Sequence, residues 1–296
     1  MLRQIDTALD LAFLAMDVMR RDRGLAAALV DGYREAGGDP GDDVLVAFFA
    51  AQRALIRAKV ALIRAGQVDG ADRARRRADA AALLALADRL GWEIRLGRLA
   101  VICGPAASGK TTLAAALAAR SGARVVSSDV VRKRLLGLAP TARAPLSAYD
   151  AETNRRTYAA LGRETAQHLG AGCSVLIDAT FRFASDRDVF AAALGPGDPL
   201  WIECRAPEAT VARRAAARAR APRHISDAGP AVAAATVAEF EPLTRVPPDR
   251  RIAVATVAGP AAAVTRVRRA LDNRLGGLSR RVDQLVLEGV ADELGA

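Results

Sequence analysis

Residues 101–119 read VICGPAASGKTTLAAALAA, and this stretch decides the fold of the chain around it. An apolar, strand-like run leads into a turn bracketed by glycines, and a helix rich in alanine and leucine follows directly. The turn fits the pattern G-x-x-x-x-G-K-[ST], in which backbone N–H groups, the amino terminus of a helix and a lysine surround phosphate groups. Pattern and context together predict a site for the phosphates of a nucleotide.

The predicted phosphate-binding loop supplies most of the candidate ligands. Lys110 would reach the outer phosphates, and Thr111 would bind a magnesium ion. The candidate nucleotide-binding residues here are Gly104, Pro105, Ala106, Ala107, Ser108, Gly109, Lys110, Thr111 and Thr112. The alternative is a tight turn with an incidental lysine, but lysine occurs only at positions 59, 110 and 133. This scarcity favours a functional lysine.

Strand-like runs alternate with helical stretches from residue 98 onward. The runs are RLAVIC at 98–103, ARVVSSD at 123–129, CSVLIDAT at 173–180, PLWIEC at 199–204 and RIAVATV at 251–257. This alternation predicts an α/β fold, a three-layer P-loop nucleotide-binding architecture with a parallel sheet between helices. Earlier apolar residues recur at helical spacing, which predicts an all-helical amino-terminal segment. The expected organisation is a helical segment at 1–93, a nucleotide-binding domain at 94–275 and a carboxyl-terminal helix at 276–296.

Charge and composition leave the partner open. The formal net charge of +10 and the isoelectric point near 10.6 would suit an anionic partner. Most basic residues are arginines on alanine-rich helices that also carry acids, a pattern typical of solvated helix surface. Nucleic acid is therefore not the favoured partner, and aromatic residues for base stacking make up only 4% of the chain. The three cysteines lack metal or disulfide spacing and no segment suits a membrane span, so we expect a cytoplasmic protein.

Two further strands end in an acidic residue, at the edge where open parallel sheets bind ligands. Asp129 follows the second strand and could accept the proton of an attacking hydroxyl. Arg132, three residues on, could hold the acceptor or neutralise the transferring phosphoryl group. The alternative is that Asp129 caps a helix and Arg132 is solvated. Asp178 ends the third strand and would hold magnesium together with Thr111, with a helix or turn cap as its alternative role.

An arginine-rich tract follows the fourth strand. It carries Arg213, Arg214, Arg218, Arg220 and Arg223. Arg214 and Arg218 share a helical face that could close over the triphosphate as a lid. An exposed helix in an arginine-biased protein is the alternative. Thr180 and Arg187 are further candidates for contacts around the phosphates, while the two tyrosines between the second and third strands are expected to pack or to line the edge of the cleft.

Together these motifs resemble a known family. The loop GPAASGKT, the segment SSDVVRK with its D-x-x-R, the strand end VLIDATF and the arginine-rich lid followed by SDA are similar to the P-loop kinases of the polynucleotide kinase, gluconate kinase and zeta-toxin type, often catalogued as an AAA-like ATP-binding domain. The likeness runs from about residue 96 to about residue 275. It implies ATP with Mg²⁺, Asp129 as the base, Arg132 near the acceptor, and lid arginines on the phosphates.

The order of parts also resembles bacterial two-part proteins in which an aminoglycoside-phosphotransferase-like domain precedes the kinase domain. Residues 1–93 resemble the last helices of such a first domain, and the chain begins after the points where its catalytic loop and metal-binding aspartate would lie. We therefore expect a helical remnant without transferase activity of its own. Its apolar helix faces would dock onto the kinase domain or support self-association.

The expected activity is transfer of the γ-phosphoryl group of Mg-ATP to a hydroxyl of an unidentified acceptor, with a small molecule as the favoured class. Lys110, Asp129 and Arg132 are the candidate catalytic residues. Two alternatives stay open: a kinase for 5′-hydroxyl ends of nucleic acid, and a non-catalytic module in which ATP binding orders the lid for a partner.

Overall fold

The structure, a computed structural model, describes residues 6–220 and 229–274. The predicted carboxyl-terminal helix at 276–296 lies outside these residues, as do Arg223, His224 and the SDA segment. Within the described residues, contacts divide the chain into a helical unit that includes residues 6–95 and a nucleotide-binding unit within residues 96–271.

Aspartates start three helices of the helical unit. The helices are α1 (Thr7–Met19), α2 (Arg23–Glu35), α3 (Asp43–Gly66) and α4 (Gly70–Leu96). Asp6, Asp22 and Asp42 accept backbone N–H groups at the starts of α1, α2 and α3, at 2.9, 3.0 and 2.8 Å. These side chains satisfy donors that the helix leaves unpaired. The prediction of an all-helical amino-terminal segment is confirmed.

The buried faces of α1 and α3 contain many small side chains. The buried alanines are Ala8, Ala12 and Ala15 on α1 and Ala50, Ala51, Ala54, Ala58, Ala61 and Ala65 on α3. Short side chains at a helix contact permit a small separation between the axes. Some larger apolar side chains lie on the outside, among them Phe13 at 45% and Leu14 at 52% exposure. Self-association through this segment remains a prediction, and these exposed apolar side chains would form the contact.

A five-stranded parallel sheet forms the centre of the nucleotide-binding unit. Its strands are β1 (Leu99–Cys103), β2 (Arg124–Ser127), β3 (Val175–Asp178), β4 (Leu200–Arg205) and β5 (Arg251–Ala255). They lie in the order β2-β3-β1-β4-β5, and every neighbouring pair is parallel. The register places Val101 beside Ile177 on one side and Trp201 on the other. The five predicted strands and the α/β fold are confirmed.

Helices connect the strands, as parallel pairing requires. They are α5 (Lys110–Ser121), α6 (Ser128–Leu135), α7 (Ala151–Gly170), α8 (Ala184–Leu194), α9 (Glu208–Ala219) and α10 (Pro230–Ala238). A further helix, α11 (Pro260–Arg274), follows β5. Short 3-10 turns lie at Leu146–Tyr149 and Pro248–Arg250. Within the described residues, none of the helices combines the length and the apolar character that a membrane span needs.

Apolar side chains fix the sheet against its covering helices. All five residues of β1 are buried. The ring of Phe181, just after β3, lies 4.9 Å from Tyr158, 5.2 Å from Phe190 and 5.0 Å from Trp201. This cluster joins α7, α8 and β4 beneath the carboxyl ends of the strands. Because β2, β3 and β1 are adjacent, the residues that follow them meet at one edge of the sheet.

Candidate functional site

The phosphate-binding loop has the backbone conformation of an anion cradle. Gly104, Ala107 and Gly109 have positive φ angles of 130°, 59° and 102°. Such residues turn successive N–H groups toward one point. A Cβ atom on Gly104 would lie 2.5 Å from the carbonyl oxygen of Cys204, and one on Gly109 would lie 3.2 Å from the side chain of Thr256. Space and φ both require a glycine at 104, and φ favours one at 109, so the loop fits a phosphate chain.

Helix α10 holds the first half of this loop. The backbone N–H of Ala106 donates to the hydroxyl of Thr236 at 3.0 Å, and that hydroxyl donates to the carbonyl oxygen of Ala233 at 2.8 Å. Ala106 and Ala107 also pack in a small apolar cluster with Val211, Ala215 and Ala233. A polar bond and apolar contacts therefore fix the loop to helices α9 and α10.

The lid arginines take different positions. The guanidinium of Arg214 donates to the carbonyl oxygen of Ser108 at 3.3 Å, and to the hydroxyl and carbonyl oxygens of Thr256 at 3.1 and 2.6 Å. Arg218, one turn further along α9, lines the same cavity as the phosphate-binding loop. Arg213 and Arg220 are exposed. Arg214 thus supports the loop from outside, whereas Arg218 is the described lid arginine on the cavity wall.

Lys110, Thr111 and Asp178 line this cavity as well. The Nζ atom of Lys110 donates to the carbonyl oxygen of Pro105 at 2.8 Å, and the side chain of Thr111 is hydrogen-bonded to Asp178. Burial raises the pKa of Asp178, although the charge of Lys110 and the Thr111 hydrogen bond act the other way. Burial likewise lowers the pKa of Lys110, against the attraction of Asp178. The charges of Lys110 and Asp178 thus each favour the charged form of the other group.

These residues suit a magnesium ion that is bound with phosphates. Among the described residues, no group of three or more His, Cys, Asp or Glu side chains could hold a metal by itself. Mg²⁺ is commonly held by one or two protein oxygens together with phosphate oxygens and water. The hydroxyl of Thr111 and the carboxylate of Asp178 are such a pair of oxygen donors.

Asp129 and Arg132 line the same cavity, whose volume is about 280 Å³. Within the described part of the chain, Asp129 makes no hydrogen bond or ion pair, so it does not act as a helix cap. Arg132 is buried, not solvated; its Nη1 atom donates to the carbonyl oxygen of Ala148 at 2.7 Å, and its guanidinium lies 4.7 Å from the ring centre of Tyr149. Its Nε atom is buried without a hydrogen-bond partner. The structure thus brings both residues to the cavity that the phosphate-binding loop lines.

The cavity also contains residues that sequence reasoning did not identify: Asn154, Arg182, Asp186 and Thr236. Asp186 accepts the backbone N–H of Phe183 at 3.4 Å. Burial raises the pKa of Asp186, while that N–H and the charges of Arg182, Arg132 and Arg187 act to lower it. Its position in the first turn of the helix after β3 is a signal that could have identified Asp186, since helix starts after parallel strands face the ligand edge.

Tyr158 lines the cavity as well, in agreement with the expectation for the two tyrosines. Its phenol oxygen accepts the backbone N–H of Phe181 at 3.0 Å. Burial raises the pKa of this phenol, so the hydroxyl keeps its proton at neutral pH.

The expectation that Arg187 faces phosphate is wrong. Its guanidinium donates to the carbonyl oxygens of Phe183, Glu241 and Pro242 at 3.2, 2.7 and 3.0 Å. These bonds tie α8 to the segment after α10, away from the cavity. Thr180 does line the cavity, and its carbonyl oxygen accepts the N–H of Gly104 at 3.2 Å.

Residues 99–243 match a family described as AAA domain. This match agrees with the P-loop nucleotide-binding fold that the loop and the parallel sheet form. The resemblance expected from the sequence motifs is confirmed at this level. Uncharacterized proteins from Mycobacterium bovis and from two strains of Mycobacterium tuberculosis are each 34% identical to the chain over 187 residues, which is 61% of this chain and 36% of theirs. The match thus spans about a third of the length of these curated relatives.

Three solved structures are similar to the P-loop domain and its surroundings. An unliganded sugar kinase from Janibacter is 22% identical, with a TM-score of 0.45 over 59% of this chain and 94% of that chain. A gluconokinase from Sinorhizobium meliloti is 20% identical, with a TM-score of 0.43 over 64% and 96%. A putative kinase from Chloroflexus aurantiacus is 25% identical, with a TM-score of 0.45 over 60% and 97%.

Proposed function

We propose that this protein transfers the γ-phosphoryl group of ATP, bound with Mg²⁺, to a hydroxyl of a small acceptor. The observation that carries this proposal is one cavity with two sets of side chains. Lys110, Thr111 and Asp178 lie on the phosphate side, and Asp129 and Arg132 line the same space. Nucleotide binding needs only the first set. Asp129 is a second carboxylate in this cavity and would repel the triphosphate, so we assign it a role toward the other reactant, the acceptor.

The phosphate side would hold the nucleotide. Lys110 would exchange the carbonyl of Pro105 for the outer phosphates, and the inward N–H groups of residues 104–112 would bind phosphate oxygens. Thr111 and Asp178 would hold the Mg²⁺, which neutralises phosphate charge when it is bound. Arg218 would add positive charge from the lid helix.

The acceptor side would activate a hydroxyl. The carboxylate of Asp129 would take the proton of the acceptor O–H as its oxygen forms a bond to the γ-phosphorus. The bond from that phosphorus to the bridging oxygen of ADP breaks in the same step, and Asp129 later gives its proton to water. Arg132, held against Tyr149 and the carbonyl of Ala148, would offset charge on the acceptor oxygen and the phosphoryl group. Positioning and electrostatics supply most of the rate in such transfers.

Transfer of γ-labelled phosphate into a deproteinised mycobacterial extract tests the proposal, since the curated relatives come from that genus. We expect Asp129→Asn to lower the transfer rate by about 10²- to 10⁴-fold, the usual contribution of a general base, and to bind ATP normally. Lys110→Ala should lose both ATP binding and transfer. The matched control is Asp249→Asn, which changes an exposed aspartate of the same unit and should alter neither property.

Two results would contradict this assignment. Normal transfer by the Asp129→Asn protein would remove that residue as the base. Tight ATP binding without label in any acceptor would favour the alternative of a non-catalytic module.

A further inference from the structure

One end of the cavity contains polar groups that the protein leaves without partners. We call it the acceptor end and define it by Asp129, Arg132, Asn154, Tyr158 and Asp186. Within the described residues, Arg132 makes one hydrogen bond, through Nη1, and Asp129 makes none. Asp186 accepts a single N–H at the long distance of 3.4 Å. Asp129 and Asp186 are half-buried and line the cavity, so their carboxylate oxygens are free to bind a ligand there.

The free positions at the acceptor end include both donors and acceptors. Arg132 offers the N–H groups of Nη2, since its described hydrogen bond uses Nη1. Tyr158 offers its O–H, because its oxygen already accepts the N–H of Phe181. Asp129 and Asp186 offer carboxylate oxygens. Asn154 donates its amide to the carbonyl of Tyr149 at 3.1 Å, which leaves its amide oxygen for a ligand. Hydroxyl groups are both donors and acceptors, so several neighbouring hydroxyls would satisfy this mixed set.

The charges of the acceptor end do not favour an anion. Two carboxylates, Asp129 and Asp186, face one guanidinium, that of Arg132. Two other guanidiniums lie near Asp186 and have partners of their own. Arg182 is paired with Glu239 at 3.1 Å, and Arg187 donates to the carbonyl oxygens of Phe183, Glu241 and Pro242. A phosphate or carboxylate group on the acceptor would therefore lie against two like charges without a surplus of positive charge.

Building on the proposed function, we propose that the acceptor is a small polyhydroxylated compound without a negative charge, selected by Asp186 and Asn154. Sugars, polyols and their amino derivatives belong to this class. Sugar acids, sugar phosphates and nucleic-acid ends do not. The cavity of about 280 Å³ also receives the outer phosphates, which limits the acceptor to a small molecule.

The charge of the unknown acceptor can be measured directly. Labelled small-molecule products from the extract are separated on an anion exchanger without phosphatase treatment, and their elution is compared with that of a sugar monophosphate standard. We expect the labelled product to carry no more negative charge than the standard, because the transferred phosphate is then its one anionic group. Later elution, with normal label transfer, would overturn this inference and leave the phosphotransfer intact. ATP binding without label in any small molecule would overturn both.

A matched pair of variants tests the role of Asp186 with the isolated acceptor. Asp186→Asn removes the charge at nearly constant size, and we expect the KM for the acceptor to rise at least 10-fold with the KM for ATP unchanged. Asp188→Asn changes an exposed aspartate of the same helix, paired with Arg245 at 3.1 Å, and should leave both KM values as they are. An unchanged acceptor KM in the Asp186→Asn protein would overturn the selection role of Asp186. If both variants lose the same thermal stability, a rise in the acceptor KM of the Asp186→Asn protein alone cannot be attributed to unfolding.

Discussion

The hydroxyl of Thr236 makes a prediction that can be worked out from the structure. Thr236→Val keeps the size of the side chain and removes the acceptor of the Ala106 N–H, which it binds at 3.0 Å. Both residues are buried, with 7% exposure each. An N–H group left unpaired inside a protein costs about 1–3 kcal/mol. Because Ala106 lines the cavity and water can reach its surface, we expect the lower part of this range, about 1–2 kcal/mol.

Thermal unfolding measures this loss. A shift of about 2–4 °C per kcal/mol is usual for domains of this size, so the Thr236→Val transition should fall by about 2–8 °C. The relevant transition is the one that ATP raises, because a ligand stabilises the unit that binds it. Thr236→Ser keeps the hydroxyl and should lose less.

A threonine on α11 provides the control. Thr265 is exposed, and its hydroxyl donates to the carbonyl of Ala261 at 3.0 Å, so Thr265→Val should change stability by less than about 0.5 kcal/mol. A Thr236→Val transition within 1 °C (about 0.3 kcal/mol) of the unmodified protein, or an equal loss in Thr236→Ser, would refute the reasoning that this hydroxyl anchors the phosphate-binding loop.

Three further predictions concern the loop, the acceptor and the thiols. Gly104→Ala would place a Cβ 2.5 Å from the carbonyl oxygen of Cys204, so we expect the protein to unfold at a clearly lower urea concentration. Burial raises the pKa of Asp186, so this carboxylate takes up a proton at a higher pH than an ordinary aspartate. We therefore expect the acceptor KM to rise as the pH is lowered, which kinetics between pH 5 and 8, about one to four units above the ordinary aspartate pKa, would show. Burial also raises the pKa of Cys103, and that of Cys204 to about 12; mass spectrometry after alkylation at neutral pH should therefore find Cys173 modified first.

Local patterns were sufficient to predict the sheet and the phosphate-binding loop. Each strand is a short apolar run, and the loop motif lies in eight consecutive residues. The arrangement of Asp129 and Asp178 at one edge follows from the same reasoning, because parallel strands that are adjacent end together. These features depend on residues close in sequence, which is why a single chain was enough.

The roles of Asp186 and Arg187 could not be predicted in this way. The two residues are neighbours on α8, yet Asp186 lines the cavity and Arg187 donates to the carbonyls of Glu241 and Pro242, more than 50 residues away. A helical pattern does not say which of two adjacent polar residues faces the ligand. That choice depends on how the segment after α10 returns over α8, and no local pattern describes that return.

The arginines of α9 also show that a helical pattern does not say which side chain faces the ligand. Arg214 and Arg218 are one turn apart and share a face, so the sequence assigns them one role. In the structure Arg214 holds the carbonyl of Ser108 together with Thr256, 42 residues away, while Arg218 lines the cavity. A single helix thus both shapes the phosphate-binding loop and contributes charge beside it. Because these two tasks share one rigid element, any movement of α9 that brings Arg218 toward phosphate must also change the support that Arg214 gives the loop.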